Sequence, residues 1–594
     1  MICMQTEILN KINSPEDVKK LSISEMNILA DEIRQGILNR VDQIGGHLGP
    51  GLGITEATIA LHYVYNSPVD KFVFDVSHQC YPHKMLTGRK EGFINPKDHP
   101  EISGYFNYNE SPHDPFMIGH TSTSISLATG IAKARDLKGE KYNVIALIGD
   151  GSLSGGEAFE GLNNASVLGS NFIIIVNDNE MSIAENQGGL YKNLEELRNS
   201  NGQAQNNFFK SFGFDYHYVE NGNDIQSLIN IFEQVKNIDH PVVVHIHTLK
   251  GKGFEPAVTN KETGHWSMPG LLSKDKNLNF DTVAECYETI TNNYILEKIK
   301  QDKTVIPITS ATPGVFWWNK DFRNQLGENY TDVGIAEEHA VAYASGLAKN
   351  GARPIYAVMT SFIQRTYDQL SQDLALNNSP ATILVYWGGI SGADATHLGL
   401  FDIPLICNIP NIVYLAPTCK EEYLRMLDWS VEQTKYSVAI RVPSANFVST
   451  GVEDKTDYSI LNKYQLVEKG EKVGIIALGD FFELGKEVKK ELLQSGINAT
   501  LINPKFITGI DKELLNSLKS DHKVIITLEN GTLDGGFGEK ISRFFGDSNV
   551  KVLNYGASKE FIDRVPIDEL LERYHLKKEL IVQDVNKILL NTTL

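Results

Sequence analysis

Two short polar clusters in the first third of the chain have the side chains and the spacing to hold a small divalent cation. Gly149-Asp150-Gly151 follows the apolar run Val144–Ile148, and Asn177-Asp178-Asn179 follows Phe172–Val176. Asp150 and Asn179 each offer a hard oxygen, the ligand type magnesium takes in octahedral geometry at about 2.1 Å, with phosphate oxygens and water completing its shell. The glycines beside Asp150 let the backbone come close to a diphosphate. Between the two runs, Ala158, Leu162 and Ala165 share one face of a helix expected over Glu157–Val167. Strand, helix and strand within about 30 residues make a crossover unit with parallel strands. Both clusters then leave the sheet at its carboxyl edge, where open α/β sheets bind ligands. Either cluster alone is an ordinary turn; the pair at this spacing reads as a binding site.

A second set of candidates lies further along. Glu337 sits in Asp332-Val-Gly-Ile-Ala-Glu337-Glu338-His339-Ala-Val341, an apolar strand expected to run into a helix start. A glutamic acid in an apolar setting keeps its proton more readily and suits acid–base chemistry; the plainer role is to complement a helix N-terminus. Phe362 and Arg365 share the segment Ser361-Phe362-Ile363-Gln364-Arg365. Phe362 alone fits core packing at least as well as ring stacking. Three histidines stand in Gly- and Ser-rich loops: His47 within Gly45–Gly53, His78 within Phe74–Gln79, and His120 after Gly119 within Ile118–Ser124. Each taken singly is a structural turn; such loops also deliver imidazole to carboxylates and phosphates.

These groups need rigid strand ends to hold them, and the chain supplies three stretches in which short β-branched runs alternate with amphipathic segments. The first, 1–290, has strand candidates Phe72–Val76, Val144–Ile148, Phe172–Val176 and Val242–His247. The second, 302–455, has Val305–Thr309, Ile355–Val358, Ile383–Tyr386, Ile412–Leu415 and Val438–Arg441. The third, 459–594, has Val473–Leu478, Ala499–Ile502, Val524–Leu528 and Val550–Leu553. Charged Ser273–Asn279 and the Ser-, Thr- and Gly-rich Ser449–Tyr458 read as linkers. The expected fold is three α/β domains with mostly parallel sheets.

A formal net charge of −19 argues against nucleic acid or an anionic membrane as a partner. An anionic substrate must therefore be drawn in by local cations. No apolar run approaches the ~18 residues of a transmembrane helix, and the first residues lack the features of a secretory signal. Five scattered cysteines, Cys3, Cys80, Cys286, Cys407 and Cys419, form neither a zinc pattern nor a disulfide framework and suit a reducing cytoplasm.

The Asp150/Asn179 pattern resembles the thiamine-diphosphate signature of the transketolase superfamily. The run ending in Ile335-Ala-Glu337-Glu338-His339 is similar to its "IAEQH" segment, with Glu338 in place of the Gln. The segments "LHYVYN", "DVSHQCYPHKMLTGR", "GHTSTSIS", "NDNEMSI", "KGKGFEPA" and "FIQRTYDQ" narrow the resemblance to the 1-deoxy-D-xylulose-5-phosphate synthase family, over nearly the whole chain. That resemblance implies a homodimer using thiamine diphosphate and Mg2+ to decarboxylate pyruvate and join it to an aldehyde acceptor, D-glyceraldehyde 3-phosphate. It implies Asp150, Asn179 and the Met181 carbonyl on the metal, and His78, Gly119, His120, Gly151 and Phe362 on the cofactor. Glu337 becomes the catalytic acid at the cofactor pyrimidine, and His47, His265 and His397 line the substrate pocket for proton transfer. Asp394, Arg365 and Arg441 become substrate contacts, and the third domain supports the dimer.

The match breaks at the acceptor. Where the family has "DRAGxVGADGxTHxG", this chain has Trp387 at the Arg position and one residue fewer before His397; Met359 and Ser444 replace a Tyr and an Arg. An arginine–phosphate contact contributes about 1.5–3 kcal/mol, one to two orders of magnitude in affinity. A different acceptor aldehyde is therefore the second expectation, and two-carbon ketol transfer, as in a transketolase, the third. A 2-oxo acid dehydrogenase subunit or a non-catalytic paralogue fits less well, because both halves of the site share one chain with Asp150, Asn179 and Glu337 intact.

Overall fold

The computed structural model describes residues 6–272, 285–444 and 447–591. The linker expected over Ser273–Asn279 lies outside the described residues. The chain divides into two compact units, 1–283 with 333–336, and 284–332 with 337–594.

In the first unit five parallel strands lie in the order Lys71–Phe74, Val144–Gly149, Phe172–Asp178, Pro241–His247 and Asp215–Val219. Successive side chains on a strand point to opposite faces, and here both faces are covered. Ile145, Leu147, Ile173 and Ile175 pack with the helix Ile23–Ile44 on one side. Val144, Ala146, Ile148, Ile174 and Val176 pack with the helices Ser124–Lys138 and Gly156–Ala165 on the other. This is why the central runs read as continuously apolar. Edge strand Asp215–Val219, with Tyr and His between its ends, did not stand out in the sequence. The pairing Gly149↔Asn177 sets the two polar clusters side by side. Separately, Gly46–His47 pairs antiparallel with Trp266–Ser267 as a two-stranded ribbon.

The second unit holds two sheets. Six parallel strands run in the order Ile412–Leu415, Ser437–Arg441, Thr382–Tyr386, Arg353–Met359, Val305–Thr309 and Thr331–Asp332. The apolar strand expected before Glu337 is only the two residues Thr331–Asp332; the helix then starts at Glu337 itself. The next sheet has the order Gln465–Glu468, Thr500–Asn503, Lys472–Ala477, His522–Thr532 and Lys551–Ala557. Only its exposed edge strand Gln465–Glu468 is antiparallel. The expected α/β architecture with mostly parallel sheets holds. Among the described residues no helix is long and apolar enough to cross a membrane.

Candidate active site

Asp150 emerges at the end of its strand in the first unit and is almost fully buried. Its Oδ2 accepts the Met181 amide at 3.0 Å and Asn186 Nδ2 at 2.7 Å. Burial, reinforced by the nearby Asp178 charge, pushes Asp150 up to about 7. Asp178 goes the other way: burial opposes its charge, but His245 and Arg198, bonded at 2.9 and 2.5 Å, hold it down at about 2. Asn179 Oδ1 and Asn186 Oδ1 are buried and accept no hydrogen bond. Orphaned acceptors of this kind are rare in native interiors, and here they sit beside a carboxylate that burial disfavours. A cation satisfies all three. Among the described residues no group of three His, Cys, Asp or Glu side chains could hold a metal, so side-chain amide, backbone and outside oxygens must complete the shell, as magnesium accepts. A Cβ at Gly151 would lie 2.7 Å from Ser182 Oγ, so only glycine fits there. The residues present fit a metal-bound diphosphate.

Three imidazoles gather in the same unit. The ring centroids of His47 and His78 are 4.9 Å apart, His47 and His265 5.3 Å, and His78 and His265 5.4 Å. The ribbon explains the pairing, since His47 lies opposite Trp266, one residue past His265. Burial, then the Lys250 charge, lowers His47 to about 4 and takes His265 well below its ordinary value. Both are neutral near pH 7 and can accept a proton. Lys250 is itself buried, lowered to about 7, and donates to the Ser182 carbonyl at 2.6 Å. Asp75 fixes the neighbouring loops: its oxygens accept the Ser122 and Ser124 amides at 2.8 and 3.0 Å. Ser77 Oγ adds a 2.7 Å bond to the Ile118 carbonyl. The loop carrying His78 is thereby tied to the loop carrying Gly119 and His120.

In the second unit Glu337 opens its helix and is 3% exposed. Burial raises it to about 7, against the pull of Arg365, whose Nη1 lies 3.7 Å from Oε2. That oxygen accepts no hydrogen bond. Phe362 meets the His397 ring edge-on at 5.7 Å. Asp394 lies 3.7 Å from Arg564. Arg441 bonds Asp402 through Nε at 2.7 Å and the Asn530 backbone carbonyl through Nη2 at 2.8 Å, with 6% of its surface exposed. Trp387 is half-exposed at φ 61°, and Ser444 Oγ donates to the Gly388 carbonyl at 2.6 Å. Met359 is buried.

The chain matches the family model described as 1-deoxy-D-xylulose-5-phosphate synthase over residues 9–207 and 200–248. It matches the transketolase pyrimidine binding domain over 287–448 and the transketolase C-terminal domain over 462–581. The 1-deoxy-D-xylulose-5-phosphate synthase of Halothermothrix orenii is 37% identical, covering 98% of this chain and 97% of its own length. That of Clostridium tetani is 37% identical over 98% and 99%. The chain belongs to the 1-deoxy-D-xylulose-5-phosphate synthase family. A solved transketolase from Leishmania mexicana is similar at 14% identity and TM-score 0.44, covering 96% of this chain and 97% of its own.

Several residues of this synthase-family chain escaped the sequence reading. Lys250 carried a signal, a lysine directly before Gly251 in the Lys- and Gly-rich turn just past the strand Pro241–His247. Asn186 carried none, because its bond to Asp150 spans 36 positions of loop and helix. Asp178 was visible in its cluster, but its partners His245 and Arg198 come together only through strand order.

Proposed function

We propose that this chain is a 1-deoxy-D-xylulose-5-phosphate synthase. It takes carbon dioxide from pyruvate, joins the remaining two carbons to D-glyceraldehyde 3-phosphate, takes up one proton, and yields 1-deoxy-D-xylulose 5-phosphate. The observation that carries the reading is the orphaned Asn179 oxygen beside the buried Asp150. Likeness to synthases along 98% of the chain supports it.

Asp150, Asn179 and the Met181 carbonyl would hold Mg2+, and Gly119, Gly151, His78 and His120 would receive the diphosphate end of thiamine diphosphate. When bound, that cofactor supplies a nucleophilic carbon and an electron sink for the decarboxylation. Glu337, whose hold on its proton burial extends to about pH 7, would donate a hydrogen bond to the pyrimidine ring nitrogen, and Phe362 would pack on that ring. His47, His265 and His397 move protons, the first two as imidazoles that burial keeps neutral. Asp394, Arg365 and Arg441 contact substrate, and Arg441 is held in place by Asp402 and the Asn530 carbonyl. The finer readings belong to the same proposal: a cytoplasmic homodimer with domains at 1–290, 302–455 and 459–594, the third supporting the dimer.

The test is product identification by mass spectrometry after incubating the purified protein with labelled pyruvate and an aldehyde panel. The expected outcome is carbon dioxide release that depends on glyceraldehyde 3-phosphate and a product of the mass of deoxyxylulose phosphate. Faster turnover with an unphosphorylated aldehyde, which Trp387 and Ser444 would favour, overturns the acceptor. Transfer from a ketose phosphate without carbon dioxide overturns the reaction.

A further inference from the structure

The loop after strand Thr382–Tyr386 carries Asp394 and His397, yet its shape is fixed from the neighbouring sheet of the same unit. Gly389 and Gly399 close its neck, with a 2.7 Å bond from the Gly389 amide to the Gly399 carbonyl. Just past the neck, Asn530 Oδ1 accepts the Ile390 amide at 2.8 Å. The same side chain donates from Nδ2 to Asp480 at 2.9 Å, and the backbone carbonyl of Asn530 accepts Arg441 Nη2. Asn530 is nearly buried, so these bonds are made away from water. At the tip, Asp563 Oδ1 accepts the Ala395 amide at 3.1 Å and the Arg564 amide donates to the Ala393 carbonyl at 3.0 Å. At the exit, the Thr532 amide donates to the Leu400 carbonyl at 3.2 Å.

The fit is close. Gly389 has φ +125°, and a Cβ there would lie 2.3 Å from Asn530 Nδ2. Arg564 is itself at φ 53°, a conformation that costs a non-glycine residue about 1 kcal/mol or more and persists only where its surroundings over-determine it. Its guanidinium faces Asp394 at 3.7 Å. Entry and exit of the loop are thus gripped by the strand His522–Thr532 of the neighbouring sheet, and its tip by the segment that follows the strand Lys551–Ala557.

We propose that Asn530, Asp563 and Arg564 are positioning residues that hold Asp394 and His397 in place and so set affinity for the aldehyde acceptor. This rests on reading Asp394 and His397 as substrate-pocket residues. A carboxylate that accepts and an imidazole that can donate or accept suit the hydroxyl groups of a hydroxyaldehyde, which pyruvate lacks. Glu337 and the three clustered imidazoles sit on other elements, so loosening this loop spares them.

The experiment compares Asn530→Ala and Arg564→Ala with the unaltered protein. KM is measured for glyceraldehyde 3-phosphate and for pyruvate, and amide deuterium exchange of residues 388–398 is followed without substrates. The expected result is an acceptor KM raised about tenfold or more, a pyruvate KM within about twofold, and faster exchange across the loop. Unchanged exchange in both variants, or equal changes in both KM values, overturns the proposal. Arg564 is partly exposed, so its variant keeps the test open if the Asn530 substitution impairs folding. Exchange needs no substrate: a protein that makes no deoxyxylulose phosphate sinks the assigned reaction, while the grip on the loop is still decided separately.

Discussion

Arg365 holds its guanidinium 3.7 Å from the carboxyl of Glu337, too far for a hydrogen bond and close enough to pull on its proton. Burial nonetheless wins, leaving Glu337 at about 7 rather than 4.5. Between those values the folded protein keeps a proton that the unfolded chain has lost. Stability therefore falls as pH rises from about 4.5 to about 7 and stays low above it. Glu337→Gln removes that penalty. The cofactor-free variant should gain up to about 3 kcal/mol at pH 8 and little at pH 4.5, while kcat falls by about two to four orders of magnitude. Denaturant titrations at the two pH values check this; a variant less stable than the parent at pH 8 contradicts it. Arg365→Gln should extend the falling limb to higher pH.

The metal reading makes a second prediction that does not depend on turnover. Mn2+ binding, followed by electron paramagnetic resonance with thiamine diphosphate present, should weaken at least about tenfold in Asn179→Ala. Asn186→Ala, which frees the Asp150 oxygen it steadies, should weaken it about 10- to 100-fold, the usual effect of removing a group that orients a ligand. A chelator should abolish activity and Mg2+ restore it. Unaltered Mn2+ affinity in Asn179→Ala removes that residue from the metal.

How much of this was legible follows from where each signal is stored. Strands such as Phe172–Asp178, buried on both faces, write themselves as unbroken apolar runs, so the sheets and the two polar clusters at their ends could be read directly. Glu337 was readable because its segment is apolar up to the acid. Edge strands Asp215–Val219 and Gln465–Glu468 were not, since one side faces water and the pattern blurs. The grouping of His47, His78 and His265 depends on a two-residue ribbon joining positions more than 200 apart, which local periodicity does not encode. Arg441 marks another limit: its motif resembles a substrate contact, and its bonds to Asp402 and the Asn530 carbonyl, 39 and 89 positions away, are not encoded locally.

That buried pair gives a third prediction. Arg441 and Asp402 are nearly inaccessible, and Tyr414 also hydrogen-bonds Asp402 at 2.5 Å. Removing one partner of such a pair leaves a buried charge unmatched and costs about 3–5 kcal/mol, whereas replacing both is often nearly neutral. Arg441→Met should destabilise the protein by that amount in urea titrations, and Arg441→Met with Asp402→Asn should recover at least about half of it. A double variant as unstable as the single one shows that packing, not charge, dominates there.

The imidazole cluster gives the last. His47 lies near 4 because burial, and then the Lys250 cation, disfavour a second positive charge, and burial first takes His265 well below its ordinary value too. Neither titrates in the range where an ordinary histidine would, so kcat/KM for pyruvate should show no histidine limb between about pH 6 and 7 from these two groups. Lys250→Met removes the second cause and leaves burial in place, so His47 should move upward yet stay below its ordinary value. The shift can be followed on the His47 ring by NMR of the histidine-labelled protein, independently of rate. His47→Asn should lower kcat by about two to four orders of magnitude if the ring carries a proton in the reaction. A parent enzyme whose His47 signal titrates near 6.5 sinks the account of a desolvated cluster, because the ring must then stand in water.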